Sequence, residues 1–90
     1  MKPLICKLNE QVWTSSVLAT RIEAYLESAA VPSLERFKVI TCIMEALGNV
    51  FCHTDCPEEQ VILFINRDAQ RLAIEITDQA KTTTITWPDE

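Results

Sequence analysis

Three polar residues lie inside the most apolar helical segment of this chain, where a small core has no need of them. In the stretch EALGNVFCH, Glu45, Asn49 and His53 follow one another at intervals of four residues. On an α-helix such residues drift by only about 40° per step, so they form one shallow stripe beside the apolar one. A carboxylate can act as a general base, an amide oxygen can bind Mg²⁺, and an imidazole can contact a phosphate. The stripe therefore suits a nucleoside triphosphate, although the solvated edge of an amphipathic helix has the same spacing.

The stripe belongs to the second of two predicted helices. Ser33 is a good N-cap for this helix, and Glu35 places a negative charge in its first turn. The helix is predicted to run to about His53, where the polar and proline residues of 54–57 stop it. Its predicted buried side is one apolar row with three flanking residues: Phe37, Ile40, Met44, Leu47 and Phe51, widened by Val39, Ile43 and Val50.

A strand and a helix precede this segment. Alternation over residues 4–9, with Leu4, Cys6 and Leu8 on one side, predicts a first strand. A cap at Thr14 or Ser15 starts the first helix, which ends before Pro32. Its apolar residues recur at helical spacing: Trp13, Val17, Leu18, Ile22, Tyr25, Leu26 and Ala29.

Three strands are predicted after the second helix. Two runs, Gln60–Asn66 and Arg71–Asp78, are separated by four residues that form a hairpin, and Thr82–Trp87 is a last strand. The order β-α-α-β-β-β predicts an α+β two-layer sandwich, with two helices on one face of a mixed, mostly antiparallel sheet. A chain of 90 residues makes this one domain, 1–90.

Composition argues against several classes of partner. The net charge of −5 disfavours nucleic acid and anionic membranes, which both require a basic patch. No run approaches the ~20 apolar residues of a membrane-spanning helix. The N-terminal residues MKPLICKLNE lack the apolar core of a secretion signal, so a cytoplasmic location with reduced cysteines is expected.

The segment CIMEALGNVFCH resembles the N-box of the histidine-kinase-like ATPases, the GHKL or Bergerat-fold superfamily. It is most similar to that of the small bacterial anti-sigma-factor serine kinases. Glu45 with Ala46, then Asn49 and His53, match the N-box, and Arg21 matches an arginine of the preceding helix. The strand RLAIEITD ends where that family opens its next nucleotide-binding motif. The resemblance covers residues 4–80.

This resemblance implies a nucleotide site with ATP and Mg²⁺ as cofactors. By resemblance, Glu45 is the general base or orients the attacking group, and Asn49 binds the Mg²⁺ that bridges the phosphates. His53 belongs to the same nucleotide-binding motif. Asp78 would accept a hydrogen bond from the adenine amino group.

The chain departs from the family in its glycines. Gly48 is the only glycine, and Ala80 and Thr82 stand where the family has glycines that let the backbone approach phosphate. The resemblance ends at residue 80, and residues 81–90 contain neither a lid nor a second glycine-rich motif like those of the family. We therefore predict a regulatory protein-binding module, with a sigma factor or an anti-anti-sigma-like protein as partner and ATP binding no tighter than millimolar. The alternative is an ATP-binding serine/threonine kinase that a partner chain completes.

Two further expectations concern metal and assembly. The cluster from Cys52 to Cys56 contains four possible metal ligands and suggests a small metal- or thiol-dependent sensor, although packing of Cys52 in the core is the stronger interpretation. Residues 61–65 are all apolar, so this strand requires cover on both faces. A symmetric homodimer built on the sheet face or on the Thr82–Trp87 edge is predicted.

Overall fold

The computed structural model describes residues 2–9, 11–12, 14, 16–52, 61–69, 71–78 and 81–87. Two helices and four strands follow one another along the chain: β1 (Leu4–Leu8), α1 (Ser16–Ser28), α2 (Ser33–Cys52), β2 (Val61–Asp68), β3 (Arg71–Thr77) and β4 (Thr82–Trp87). This arrangement confirms the predicted α+β class and the order β-α-α-β-β-β.

The four strands form one open sheet in the order β1-β2-β3-β4. All three pairings are antiparallel, so the described strands include none of the parallel pairing that a mixed sheet would contain. Both helices lie between β1 and β2 in the chain, whereas β2, β3 and β4 follow one another as a meander. The predicted hairpin is tighter than expected, since Asp68 pairs with Arg71 and Ala69 has a positive φ of 53°.

One face of the sheet carries the core, and we call it the covered face. Its buried residues occupy alternate strand positions: Cys6, Leu8, Val61, Leu63, Ile65, Leu72, Ile74 and Ile76. They form a single cluster with one row from each helix: Leu18, Ile22 and Leu26 of α1, and Val39, Ile43, Leu47 and Phe51 of α2. The strand residues between them form the other face, which we call the open face.

Two apolar residues predicted to be buried are exposed instead. Val17 of α1 is 65% exposed and Phe37 of α2 is 69% exposed. Ile43 lies in the middle of the buried row of α2. Phe37 is six residues before Ile43 in the helix, so the two side chains point about 120° apart. The apolar residues of α2 extend around more of the helix than the sheet can cover.

The joint between the helices is held by side-chain contacts that fix where α2 begins. After α1, Ala30 has a φ of 62°, a conformation that usually favours glycine. Arg36 spans the joint: its Nε donates to Glu23 Oε1 over 2.6 Å and its Nη1 donates to the Val31 carbonyl over 2.7 Å. At the same end of α2, Trp87 Nε1 donates to Glu35 Oε2 over 3.0 Å, which ties the helix to β4.

Candidate functional site

The predicted site residues of α2 lie on its solvent side. Glu45 and Asn49 are one turn apart and both are exposed. Glu45 follows the buried Ile43 by two residues, about 160° around the helix, so its side chain lies almost opposite the core. The stripe is thus on the outside of the molecule rather than beside the apolar row. Neither side chain forms a hydrogen bond or an ion pair with another described residue.

Asp78 is half-buried and helps to close the turn between β3 and β4. Its backbone N–H donates to the Lys81 carbonyl over 2.9 Å, and its Oδ1 accepts the Lys81 N–H over 3.0 Å. The turn therefore engages one carboxylate oxygen. The predicted contact of Asp78 with an adenine amine stays a prediction.

The topology brings the C-terminal half of α2 and Asp78 toward the same end of the sheet. Glu35 contacts Trp87, which pairs with Leu72 at the opposite end of β3 from Asp78. The 14 residues from Glu35 to Asn49 span about 21 Å, close to the length of β3. After α2 the chain re-enters the sheet at Val61, on the strand end that neighbours Thr77.

Several predicted ligands lie outside the described residues. These are His53, which completes the N-box pattern, and residues 54–56 of the proposed metal cluster. Cys52, the first residue of that cluster, is exposed rather than packed in the core. Within the described ranges there is no group of three or more His, Cys, Asp or Glu side chains arranged to hold a metal. The sensor hypothesis stays a prediction.

Sequence reasoning missed a feature of α2 that was visible in the spacing. The four-residue spacing of Glu45 and Asn49 continues toward the N-terminus of α2 through Thr41 and Phe37. We call these four exposed residues the outer row. Leu34, which is 64% exposed, lies at its N-terminal end. The stripe that suggested nucleotide chemistry therefore continues into an exposed apolar patch.

Cys6 is the thiol with a distinctive environment. It is buried on the covered face of β1, and this burial raises the pKa of the Cys6 thiol, while the positive charge of Arg21 acts in the opposite direction. The thiolate is the reactive form of cysteine, so a raised pKa makes Cys6 a poor nucleophile. Arg21, the predicted counterpart of a family arginine, is exposed on α1.

Comparison with protein families, with curated proteins and with solved structures gives no match for this chain. Among the described residues, neither helix combines the length and apolar character needed to cross a membrane.

Proposed function

We propose that this chain is a regulatory protein-binding module that contacts its partner through the outer row of α2. The observation that carries the proposal is the 69% exposure of Phe37 on a helix whose other side is fully packed. The resemblance to anti-sigma-factor serine kinases suggests the class of partner, a sigma factor or an anti-anti-sigma-like protein. A cytoplasmic location is part of the proposal.

The composition of the outer row suits recognition by another protein. Phe37 and Leu34 offer apolar area, and burial of such a side chain is worth about 1.5–3 kcal/mol. Lys38 and Glu45 are exposed nearby on α2 and provide one charge of each sign. An aromatic anchor surrounded by polar groups is the usual composition of an energetically important contact in protein interfaces.

The environment of the predicted nucleotide ligands supports binding to protein more than catalysis. Phosphoryl transfer depends on groups held rigidly around the phosphates. Glu45 is exposed and has no hydrogen-bond partner among the described residues, and Asp78 already accepts a hydrogen bond within its turn. With a single glycine in the chain, backbone approach to phosphate is also restricted.

The partner proposal is tested with the purified chain against the sigma factors and anti-anti-sigma-like proteins of its source organism. Biolayer interferometry is expected to find one that binds. In the Phe37→Ala variant the affinity should fall about 10-fold or more, because an aromatic anchor is lost. Val17→Ala, which truncates an equally exposed residue of α1, is the matched control and should bind like the parent. If no member of the panel binds, or if both variants weaken binding equally, the proposal is wrong.

A second candidate is an ATP-binding serine/threonine kinase that a partner chain completes. It is favoured by one observation: Glu45 and Asn49 retain their one-turn spacing, and both side chains are accessible to a ligand. Calorimetric titration with Mg-ATP distinguishes the two functions. The binding module should bind no tighter than about millimolar, or about 4 kcal/mol. Micromolar binding that is lost in Asn49→Ala but kept in the neighbouring Thr41→Ala would favour the kinase.

A further inference from the structure

The open face of the sheet carries an apolar patch at its β1–β2 side. Ile5 is 55% exposed, Ile62 is 40% exposed, and Phe64 is half-buried. Ile5 pairs with Phe64 across the strands, and Ile62 precedes Phe64 by two residues on the same face. No helix or strand among the described residues packs on this patch, since α1 and α2 both contribute to the core on the covered face.

Two exposed charges of opposite sign flank the patch. Lys7 of β1 pairs with Ile62 of β2, and Glu75 of β3 pairs with Phe64 of β2. The other two charged strand residues of this face, Asp68 and Arg71, pair with each other in the register. The strand charges of the open face therefore cancel, although the chain as a whole carries −5. A second copy of the chain would meet no net repulsion from these strands.

The two-fold axis that exchanges the two flanking charges crosses the middle of the apolar patch. Lys7 and Glu75 lie on the two strands that flank β2, and they are offset by two residues along the strand direction. The midpoint between them falls on β2, between Ile62 and Phe64. A two-fold axis that lies between the two copies over this midpoint, parallel to the sheet and perpendicular to the line from Lys7 to Glu75, sets Lys7 of each copy over Glu75 of the other. With strands about 4.8 Å apart and about 3.3 Å per residue, the two sets of strands cross at roughly 70°, nearer to orthogonal than to aligned sheet packing.

We propose that the open face binds a second copy of this chain in an isologous dimer, with Ile5, Ile62 and Phe64 at its centre and two exchanged Lys7–Glu75 pairs at its rim. The same symmetry places Phe64 close to Ile5 of the second copy. Apolar area in the middle and charge pairs outside is the arrangement that gives an interface both affinity and orientation.

The size of the face limits the area that this dimer can bury. Four strands and about six residues per strand cover roughly 400 Å² per copy, or about 800 Å² in total. Stable complexes bury about 1,600 Å², so the dimer belongs to the weak, reversible class. Since interfaces of twice this area can be as weak as micromolar, dissociation constants of roughly 10–100 µM are expected, and sedimentation must be measured across that range of concentrations.

Charge reversal with mixing tests the exchanged pairs. Lys7→Glu and Glu75→Lys should each weaken dimerisation about 10-fold or more, because each puts two like-charged pairs at the rim. An equimolar mixture of the two variants should form a heterodimer about as stable as the parent dimer, since every pair is again opposite in sign. Both positions are exposed, so folding should be retained, which circular dichroism verifies. Failure of the mixture to associate while the single variants are weakened, or variants as dimeric as the parent, would overturn the proposed geometry.

The apolar centre is tested separately. Ile5→Glu should give a monomer at 100 µM, whereas Val17→Glu, at a similarly exposed position on α1, should dimerise like the parent. A parent chain that is monomeric up to about 500 µM, or an Ile5→Glu variant that still dimerises, would refute the proposal. The dimer surface and the outer row of α2 lie on opposite sides of the molecule. Loss of the dimer in Ile5→Glu therefore leaves partner binding through Phe37 to be judged independently.

Discussion

The covered and open faces of the same sheet differ in what lies on them more than in the residues that form them. On β2, residues 61–65 are all large and apolar. Val61, Leu63 and Ile65 are at most 1% exposed, whereas Ile62 is 40% exposed. The covered face is a core because two helices pack on it. Apolar side chains alone do not make a strand face part of the interior.

The strand that decides between the two faces is β3. Its covered residues are Leu72, Ile74 and Ile76, and the positions between them are Ala73, Glu75 and Thr77. The second set contains Glu75, and burial of that set would place a carboxylate in the core without a partner. Only the first set can therefore form the buried face. Residues that pair across β2 and β3 lie on the same face of the sheet. The burial of Leu72, Ile74 and Ile76 in β3 therefore determines which residues of β2 are buried. β2 itself would tolerate either choice.

The largest expected difference between the faces is the cost of truncating an isoleucine of β2. Ile65→Ala on the covered face should lower the free energy of unfolding by about 2–5 kcal/mol, since it leaves a cavity in the core. Ile62→Ala, in the same strand and of the same chemistry, should cost about 1 kcal/mol or less. Urea denaturation followed by circular dichroism measures both values. Both values apply to the monomer, so denaturation is carried out below the protein concentrations at which the proposed dimer forms. Similar losses for the two variants under those conditions would mean that the open face is covered in the monomer as well.

A smaller effect is expected on β4, where the covered face reaches the edge of the sheet. Trp87→Phe keeps an aromatic ring but removes the N–H that donates to Glu35. Because both groups are half-buried, the loss should be about 1 kcal/mol. Thr84→Val, on the open face of the same strand, is the matched control and should change stability little. If Trp87→Phe proves as stable as the parent, the contact between α2 and β4 does not contribute to holding the helix on the sheet.

The smallest expected effect is a pH dependence of the free energy of unfolding, which arises from Cys6 on the covered face. Burial raises the pKa of Cys6 in the folded chain above its ordinary value of 9.0, so the unfolded chain loses this proton first as the pH rises. The stabilisation due to the protonated thiol is therefore complete below pH 9 and declines as the pH rises through the folded-state pKa. Chemical denaturation between pH 7.5 and 10.5 should show a shallower alkaline decline in Cys6→Ala than in the parent. Ile5→Ala, the open-face neighbour, should follow the parent, and identical slopes for all three chains would contradict the argument.

Much of the fold was predictable because strand and helix periods differ. The alternation in Arg71–Thr77 and the β-branched run in Thr82–Trp87 predicted strands that the structure contains. The bounds were less accurate: β2 extends to Asp68 because cross-strand pairing continues into the turn, which no single-strand pattern reveals. The sheet was predicted to be mostly antiparallel and is antiparallel in all three pairings of the described strands; the pairing of β1 could not be predicted, since it depends on where two helices return the chain.

The candidate site was predictable only as a row of residues. The four-residue spacing correctly placed Glu45 and Asn49 one turn apart, because helical geometry alone sets that relation. Whether this row would border the core or point to solvent depended on which apolar residues of α2 the sheet could cover. Phe37 and Val17 were predicted to be buried and are exposed, since both helices carry more apolar residues than one face of four strands can accommodate.

The sequence by itself determined the elements, their order, the alternation that gives β3 one buried side and the single row of Phe37, Thr41, Glu45 and Asn49. These properties depend on neighbours a few residues away, and the backbone periods of helix and strand express them directly. Tertiary structure alone decided which face of β2 is buried, that Phe37 and Ile5 remain at the surface, and that Lys7 and Glu75 flank one apolar patch. Those outcomes depend on pairing between strands distant in the chain and on the limited area that two helices can cover, and no local pattern contains either quantity.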